Sequence, residues 1–530
     1  MPKRFNTAGP CHSEDHYMLP PEARVTEIPA LIEEKAYFVV HAPRQTGKTT
    51  SLTHLARRLT AEGTHAAVLT SCKSGESARD DVDRGVGAVL HVLDETARKQ
   101  LDEELRPEPV ASFDSVPGDA RLFKYLSRWS ERCTRPVVLF LDEIDALADD
   151  TLLSILDQLH TGYDSRPGDF PHSVALIGLR DVRDYEIRRD GKRRAGSSSP
   201  FNIKVESLLL RDFTAGEVAE LYAHHTAETG QRFSEEALEM AFDLTLGQPW
   251  LVNALARQVV MREVPDRRTT IEARHLEGAK EALVLRRDTH LDSLIKRLRQ
   301  KRVQRVIEPI LAGELLSGDV MNDDFAFVRD LGLVRPGPLG LEIANPIYRE
   351  IVPRALTAIM ELSMVLPRPS YLDAEGRLDF DQLVDDFRAF WIANAEPFLE
   401  RAPYSEAAAQ LVFMAFLHKI TNGKGGFVDR EYAAGRGRVD LCVRWPLPTG
   451  EVQRWAVELK VWRDSTPTGT GILNPVEQGL FQLAEYLDRL GVERGYLMVF
   501  DARSDAAPLP ERVSREVAEH EGRTIVLWRL

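Results

Sequence analysis

The sequence predicts an α/β protein whose N-terminal part is built on a parallel β-sheet. Short apolar runs (YFVV, AAVLT, VVLFLDE and VALIGL) alternate with helical segments from about residue 36 to residue 182, a pattern typical of a parallel sheet flanked by helices. Helical spacing of apolar residues follows from 214 to 282, and a helix and further strands come after about residue 378. The chain of 530 residues is too long for one core, and about 150 residues per domain gives three or four domains.

Composition and charge limit the classes of function. The chain has 43% hydrophobic and 28% charged residues, as ordinary soluble globular proteins do. Its net charge of −14 gives no global positive field, so any nucleic-acid surface must be local. Four scattered cysteines without a C-x-x-C pair argue against a disulfide framework or a zinc finger. The N-terminus lacks a signal-peptide pattern and the apolar runs are too short for a membrane span, which predicts a soluble cytoplasmic protein without a membrane partner.

A phosphate-binding loop follows the first apolar run, in the stretch APRQTGKTT. Such a loop points backbone N–H groups inward at the start of a helix and adds a lysine for the terminal phosphates. Gly47 permits close approach, Lys48 supplies charge and Thr49 can hold Mg²⁺. Ala42 stands where the motif G-x-x-x-x-G-K-[ST] begins with glycine, and we expect it to be tolerated if its φ is negative. The predicted nucleotide contacts in the loop are Ala42, Arg44, Gln45, Thr46, Gly47, Lys48, Thr49 and Thr50.

A second apolar run, PVVLFLDEID, ends in two acidic residues. Together with a phosphate loop this is the expected Walker B strand, in which Asp142 would hold the Mg²⁺ shell and Glu143 would orient or deprotonate the attacking water. The two motifs predict a nucleotide site. Arg180 ends a further strand, SVALIGLRD, where related ATPases place a γ-phosphate sensor, although an exposed charged strand end explains it equally well.

Three other features surround this predicted site. The turn Gly247-Gln248-Pro249 resembles the G-x-P signature of STAND-type and archaeal-type ATPases, whose proline packs near the adenine; without that resemblance it is a turn between helices. The segment CHSEDH has metal-ligand residue types at a spacing that matches no closed zinc site, which favours a structural role. We expect the following segment, 16–24, to pack over the nucleotide base. A basic loop at 188–194 fits DNA contact, a trans-acting arginine or a solvated loop.

A centre of two carboxylates and a lysine is predicted in the C-terminal part. In AVELKVW, strand alternation places Glu458 and Lys460 on one face, and in GRVDLCV it turns Asp440 away from its apolar neighbours. The turn PLPTG joins the two strands, so Asp440 can lie beside Glu458. Two close carboxylates can bind a divalent cation, and a neighbouring lysine can stabilise charge or position water. This arrangement suits phosphodiester hydrolysis; a salt-bridged strand pair is the alternative.

The centre resembles the PD-(D/E)XK nucleases, with Asp440 followed by Glu458 and Lys460. The resemblance implies that Asp440 and Glu458 bind the metal, that all three residues are catalytic, and that Glu406 is the acid of the first helix. Downstream, Gln482 and Tyr486 match the Q-x-x-x-Y element of one nuclease subgroup. Weaker candidates are Gln478 as an alternative to Gln482, Glu431 as a further acid, and Arg436 and Arg438 as phosphate contacts.

The segment between the two predicted sites resembles a winged helix, because helices precede the hairpin LGLVRPGPLGLEIAN. The basic run IKRLRQKRVQR within it could lie on DNA phosphates or be a solvated face. The predicted domains are an N-terminal segment 1–30 that packs on the ATPase, a P-loop ATPase core 31–205, a helical lid 206–285, a winged helix 286–360, a linker 361–377 and a nuclease domain 378–530.

This order of domains resembles a prokaryotic family in which an AAA-like ATPase, archaeal-type or STAND-like, is fused through a winged helix to a PD-(D/E)XK nuclease. The resemblance implies ATP and Mg²⁺ as cofactors, with Mn²⁺ as a substitute, and DNA as the partner. The implied activity is ATP-controlled cleavage within DNA, in defence against phage or mobile DNA. Three matters stay open: RNA as the substrate, a nucleotide-switched DNA-binding or signalling protein whose nuclease fold only docks, and assembly into a homo-oligomer.

Overall fold

The computed structural model describes the chain except for residues 1, 180–187, 190–191, 194–205, 287–294, 312–322, 339, 365–369, 402–406, 422–424, 435–436, 465 and 467–473. The chain divides into two compact units. The N-terminal unit comprises 1–286 with 326–334, and the C-terminal unit comprises 287–325 with 335–530.

The N-terminal unit contains a parallel sheet. Its strands are β1 Tyr37–His41, β2 Ala66–Ser71, β3 Val137–Asp142, β4 Ser173–Gly178 and, after a short hairpin of β5 Arg188–Arg189 and β6 Lys192–Arg193, β7 Glu206–Leu209. Within the described residues the sheet order is β2-β3-β4-β1-β7, with every pairing parallel. Strands β1 to β4 coincide with the four apolar runs, so the predicted parallel sheet is confirmed.

Helices cover both faces of this sheet. They are α1 Ile28–Glu33, α2 Lys48–Ala61, α3 Val82–Gln100, α4 Gly118–Arg132 and α5 Asp149–Thr161. Tyr37 and Val39 of β1 pack in one core with α3, α4 and α5, whereas Phe38 and Val40 pack in the other with α1 and α2. Because alternate strand residues point to opposite faces, a strand buried on both faces must be apolar throughout, which explains the uninterrupted apolar runs.

A group of helices follows the sheet: α6 Ala215–Thr229, α7 Glu235–Thr245, α8 Pro249–Gln258 and α9 Ala273–Arg286. The start of α6 is fixed by a capping box, since the Thr214 hydroxyl accepts from the N–H of Glu217 and the Glu217 carboxylate accepts from the N–H of Thr214. Gly230 ends the helix in the left-handed region, with φ +77°. These helices match the helical spacing of the sequence.

The C-terminal unit begins with helices and a hairpin. In chain order the elements are α10 Lys301–Leu311, α11 Asp323–Asp330 (which crosses the division between the units), β8 Val334–Gly337, β9 Gly340–Ile343 and α12 Pro346–Ser363. Strands β8 and β9 pair with each other, at the hairpin expected from the sequence. The winged-helix character of this part stays a prediction.

A second sheet follows. Its strands are β10 Phe427–Ala434, β11 Gly437–Pro446, β12 Val452–Trp462, β13 Arg494–Asp501, β14 Ser514–His520 and β15 Arg523–Arg529. Their order in the described chain is β10-β11-β12-β13-β15-β14; the pairings of β12 with β13 and of β13 with β15 are parallel and the others antiparallel.

Helices α13 Phe380–Arg401, α14 Ala408–Thr421, α15 Pro475–Leu490 and the short α16 Leu509–Arg512 complete the C-terminal unit. α13 and α14 pack in the core on one face of the second sheet, and α15 packs in the core on the other. Met364 and Tyr371, from the segment expected to be a linker, are buried in the first of these cores. Across the described residues, no helix has the length and apolarity needed to cross a membrane.

Candidate functional site

A cavity of about 600 Å³ lies beside the phosphate loop of the N-terminal unit. Loop residues 45–51 form one side. Residues 6–11 and 17–21 of the N-terminal segment form another, and Phe213, Pro249 and Trp250 contribute side chains from the helical part. The cavity is therefore bounded by the three elements that the sequence placed around a nucleotide.

The backbone of the loop explains the departure at Ala42. Gly47, which caps α2, has φ +89°, and a Cβ there would lie 3.3 Å from Nη1 of Arg24. Gln45 is also left-handed, with φ 60°. Ala42 is fully buried and is not among the residues with positive φ, so glycine is not required at this position. Arg44, predicted as a nucleotide contact, is exposed.

Lys48 and Thr49 face the groups expected of a nucleotide site. Nζ of Lys48 donates to the carbonyl oxygens of Ala42 at 2.6 Å and Pro43 at 2.8 Å. Burial lowers the pKa of Lys48 to about 8, because desolvation disfavours the charged amine. The Thr49 hydroxyl donates to Oδ2 of Asp142 at 2.6 Å. Asp142 at the end of β3 is thus hydrogen-bonded to Thr49 of the phosphate loop.

Glu143 is held in a strained conformation beside this pair. Its φ of 56° lies in the left-handed region, which costs a residue other than glycine about 1–3 kcal/mol. Its N–H donates to Oδ1 of Asp142 at 2.8 Å, and its Oε2 accepts from the Ser71 hydroxyl at 2.5 Å. Glu143 lines the cavity, so its carboxylate is fixed where a nucleotide would bind.

Arg24 connects the phosphate loop to the start of the helical part. Its Nη1 donates to the carbonyl oxygen of Thr46 at 2.7 Å, and its Nε and Nη2 donate to that of Arg211. The guanidinium also lies 4.9 Å from the ring centroid of Phe213. Burial lowers the pKa of Arg24 to about 10. One side chain therefore links three segments around the cavity.

The N-terminal segment is attached to both sides of the cavity. Nε1 of Trp250 donates to the carbonyl oxygen of Thr7 at 2.9 Å, and the N–H of Cys11 donates to Oγ1 of Thr50 at 3.1 Å. His16 is buried and its Nδ1 accepts from the N–H of His12 at 2.9 Å. Within the described residues no three His, Cys, Asp or Glu side chains are placed to hold a metal ion. The structural role of CHSEDH stays a prediction.

The turn at Gly247 has a steric requirement for glycine. Its φ is +77°, and a Cβ would lie 1.8 Å from the carbonyl oxygen of Phe213. The N–H of Phe213 donates to the carbonyl oxygen of Gly247 at 2.9 Å. The Gln248 side chain then caps α8 by accepting from the N–H of Leu251 at 2.6 Å, and Pro249 occupies the first turn. This close approach brings Pro249 and Phe213 to the same cavity.

In the C-terminal unit the structure brings Asp440 beside Glu458 and Lys460. Leu441 pairs with Val457 in the antiparallel ladder, which places Asp440 opposite Glu458. Oδ2 of Asp440 accepts from the N–H of Leu459 at 2.8 Å, and Oε1 of Glu458 accepts from Nζ of Lys460 at 2.8 Å.

The Glu458 carboxylate is buried and only half satisfied. Its side chain is 3% exposed, and its Oε2 has no hydrogen-bond partner among the described residues. Burial, and after it the charge of the nearby Asp440, raise the pKa of Glu458 by more than the contact with Lys460 lowers it. An unpaired carboxylate oxygen next to a second carboxylate fits a divalent cation.

The structure describes the surroundings of only some of the other residues predicted for the carboxylate centre and the nucleotide site. Tyr486 of α15 interacts electrostatically with Lys460, whereas Gln478 and Gln482 are exposed, so the choice between the two glutamines stays open. Other predicted candidates lie outside the described residues: Arg180, Glu406 and Arg436 entirely, and Glu431 and Arg438 in their side chains.

The basic run of the predicted winged helix is partly neutralised. Nε of Arg302 contacts Oδ1 of Asp324 at 2.6 Å, and Nη1 of Arg305 contacts Oδ2 of the same residue at 3.1 Å. Lys296, Arg299 and Lys301 are exposed. Asp324 lies about twenty positions after the basic run, so the sequence of the run alone does not predict these ion pairs.

Four side-chain contacts in or next to the cavity were not predicted: those of Arg24, Phe213 and Trp250, which line it, and that of Ser71, which bonds to Glu143. Ser71 could have been found, since it ends β2 beside the acidic end of β3 and the carboxyl ends of parallel strands meet at one edge. The contact of Arg24 with Arg211 spans 187 positions and that of Trp250 with Thr7 spans 243, and no local pattern indicates either.

The match to a protein-family model agrees with this N-terminal site. Residues 28–168 match the family model of the AAA ATPase domain, and the chain therefore contains a P-loop ATPase domain of AAA type. No curated protein matches the chain.

Three solved structures illustrate what the chain is similar to. The Walker-type ATPase PABY2304 of Pyrococcus abyssi has 14% identity and a TM-score of 0.44, covering 66% of this chain and 99% of its own. The Thermotoga maritima RuvB Holliday junction branch migration motor has 16% identity and a TM-score of 0.34, covering 62% and 92%. The Aeropyrum pernix ORC2 protein has 15% identity and a TM-score of 0.37, covering 65% and 96%.

Proposed function

We propose that this protein is an ATP-controlled, Mg²⁺-dependent endodeoxyribonuclease. The observation that carries the proposal is the buried Glu458 carboxylate: its Oε2 lacks a partner in the part of the chain that the structure describes, while Asp440 and Lys460 lie beside it. A purely structural ion pair would satisfy both oxygens, since an unsatisfied buried acceptor costs about 1–3 kcal/mol. A divalent cation between the two carboxylates would remove that cost.

In the proposed nuclease, Asp440 and Glu458 hold Mg²⁺, with Mn²⁺ able to replace it. The metal supplies Lewis acidity at the scissile phosphate. Burial lowers the pKa of Lys460, but the two carboxylates together raise it by more, so the charged amine can stabilise the charge that develops on phosphorus or position the attacking water. Glu406 and Gln482 are proposed to complete or support the site.

In the ATPase domain, Lys48 is proposed to exchange its bonds to the loop carbonyls for bonds to the terminal phosphates. Phosphate charge would then restore the pKa that burial lowers. Thr49 and Asp142, already in contact, would hold the Mg²⁺ of the nucleotide, and Glu143 would orient the attacking water. Pro249 is proposed to pack near the adenine, and Arg180 to sense the γ-phosphate.

ATP is proposed to control cleavage by shifting the balance between two arrangements of the chain. A ligand changes such a balance only if it binds the two arrangements with different affinity. Within the N-terminal unit, Arg24 bonds to both the phosphate loop and the segment that leads into α6, so a change at the loop on ATP binding can be passed to the helices that follow the sheet. The proposed biological setting is defence against phage or mobile DNA.

The test is cleavage of supercoiled plasmid and linear DNA with Mg²⁺ or Mn²⁺. Wild-type protein is compared with Glu458→Gln, and with Glu451→Gln, which changes an exposed glutamate in the turn that joins the same two strands. Cleavage that disappears in Glu458→Gln and persists in Glu451→Gln supports the nuclease. Equal cleavage by all three proteins would show that the activity does not come from this centre.

Two rivals are distinguished by the same preparations. RNA as the substrate is supported if the wild-type protein cuts single-stranded or structured RNA but not DNA, and if Glu458→Gln cuts neither. A nucleotide-switched DNA-binding or signalling protein is favoured if neither nucleic acid is cut but DNA affinity differs between ATP and ADP. The exposed cations of the basic run favour this binding function.

A further inference from the structure

Strand β14 forms an open edge of the second sheet. It pairs with β15 and, among the described strands, with no other. The backbone N–H and C=O groups on its other side face away from the sheet, over seven residues. Such an edge is a template for another strand, and proteins usually block it with short strands, charges or a covering element.

Apolar side chains are exposed on both faces of the sheet near this edge. Val517 is 56% exposed although its cross-strand neighbour Val526 is buried in the core with α13. On the opposite face, Phe481 of α15 is 48% exposed, with its ring 4.5 Å from that of His520. An exposed apolar side chain therefore lies on each face of the sheet at this edge.

The charges of β14 are self-complementary. Consider a second β14 that pairs antiparallel with the first, related by a two-fold axis through Val517. Residues equally far before and after Val517 then lie opposite each other in the two copies. Arg515 then faces Glu519 of the second copy, and the symmetric pair forms as well. Opposite charges directly across an antiparallel pair stabilise it, and these two side chains lie on the same face as Val517.

Neighbouring registers lose this complementarity. If the second strand is shifted by one residue in one direction, Glu516 lies opposite Glu519, and the two like charges repel. If it is shifted by one residue in the other direction, Arg515 and Glu519 no longer lie opposite each other. The local contacts leave both charges accessible: Nη2 of Arg515 is 3.8 Å from Asp381, and Oε1 of Glu519 accepts from the Thr524 hydroxyl at 2.9 Å. Both residues are exposed.

We propose that β14 is a pairing surface for a second copy of this chain, in the antiparallel register centred on Val517. The pairing joins two sheets into one and places Val517 against Val517 of the second copy. A strand of a different protein would need to match this charge order, whereas a second copy matches it by symmetry. The proposal does not depend on nuclease activity.

The test is the oligomeric state of the full-length protein, measured by sedimentation velocity without nucleotide over about a hundredfold range of concentration. A dimer of the 59.7 kDa chain is expected. Arg515→Glu and Glu519→Arg should each weaken the dimer by at least about tenfold, because each places like charges opposite one another twice. The double variant Arg515→Glu/Glu519→Arg should return the dissociation constant to within about threefold of wild type.

Two controls separate pairing from folding. Glu511→Arg reverses an exposed charge that precedes the strand and should leave the dimer unchanged, and thermal melting should show that each variant is folded. Val517→Lys should also abolish the dimer. A monomer at every concentration would overturn the proposal, and so would a dimer that neither single reversal weakens or that the double variant fails to restore.

Discussion

The hydroxyl of Ser71 donates a hydrogen bond of 2.5 Å to Oε2 of Glu143. Ser71 is the last residue of β2 and is aligned with Asp142 at the end of β3, so the parallel register itself places the hydroxyl next to the acidic strand end. The N–H of Glu143 is bonded to Asp142 at the same time. Two contacts therefore hold a residue whose backbone is in the left-handed region.

Removal of the Ser71 hydroxyl should slow ATP hydrolysis, but by less than removal of the Glu143 carboxylate. We expect Glu143→Gln to lower kcat by about 100-fold or more, because the carboxylate proposed to orient or deprotonate the attacking water is lost. Ser71→Ala should lower kcat by less than about tenfold, with KM unchanged, because the carboxylate is present but less well held. Phosphate release measures both. Ser74→Ala, whose hydroxyl bonds to the carbonyl oxygen of Ala88 instead, should match wild type; a Ser71→Ala protein faster than wild type contradicts this account.

Ala42→Gly should not improve the nucleotide site. Because Ala42 is buried and its φ is not positive, glycine brings no conformational relief and removes a packed methyl group. We expect ATP affinity within about twofold of wild type and a stability lower by about 1 kcal/mol. Fluorescent-nucleotide titration and thermal melting measure the two quantities. Affinity that rises fivefold or more would mean that the methyl group obstructs the phosphates.

Gly247→Ala should be far more harmful than Gly230→Ala. Both glycines have φ +77°, so alanine adds a similar backbone strain of about 1–2 kcal/mol at each position. A Cβ at Gly230 meets nothing within 4 Å, whereas a Cβ at Gly247 lies 1.8 Å from the carbonyl oxygen of Phe213. We expect at least about 2 kcal/mol of additional destabilisation for Gly247→Ala, measured by urea unfolding. Equal losses for the two variants would refute the close approach.

The ion pair of Glu217 with Arg211 should make a pH-dependent contribution to stability. Hydrogen bonds from Arg211 lower the pKa of Glu217 from 4.5 to about 2. Since the folded pKa is depressed, the stabilisation is complete above pH 4.5 and is lost as the pH falls towards 2. Glu217→Gln keeps an amide that can serve in the capping box, and should cost about 1 kcal/mol at neutral pH.

The difference in melting temperature between wild type and Glu217→Gln measures this contribution. It should be constant between neutral pH and about pH 5 and should shrink below that value. Glu220→Gln, at an exposed position of the same helix, should show no such difference. A Glu217→Gln effect that grows as the pH falls would contradict the sign of the pKa shift.

The extent to which the sequence predicts this structure differs between elements. Strands such as β1 are buried on both faces, and their apolar runs predict them together with the parallel sheet. The hairpin from β11 to β12 has strand alternation and a turn, which together predict that Asp440 and Glu458 are neighbours. The contacts of Arg24 and Trp250 join segments that are distant in the chain, and only the assembled fold reveals them. The pattern of β14 does not single it out as a strand, because exposed alternating charges also occur in loops and helices.

Nucleotide binding at the phosphate loop is proposed to control cleavage at the carboxylate centre. The most direct measurement is the rate of plasmid cleavage with Mg²⁺, with and without ATP, by wild type, Lys48→Ala and the control Arg57→Ala, an exposed position of α2. We expect ATP to change the wild-type and Arg57→Ala rates, and to have no effect on Lys48→Ala, whose ATP affinity should fall by about 10- to 100-fold. Cleavage by Lys48→Ala that responds to ATP as wild type does would contradict the account.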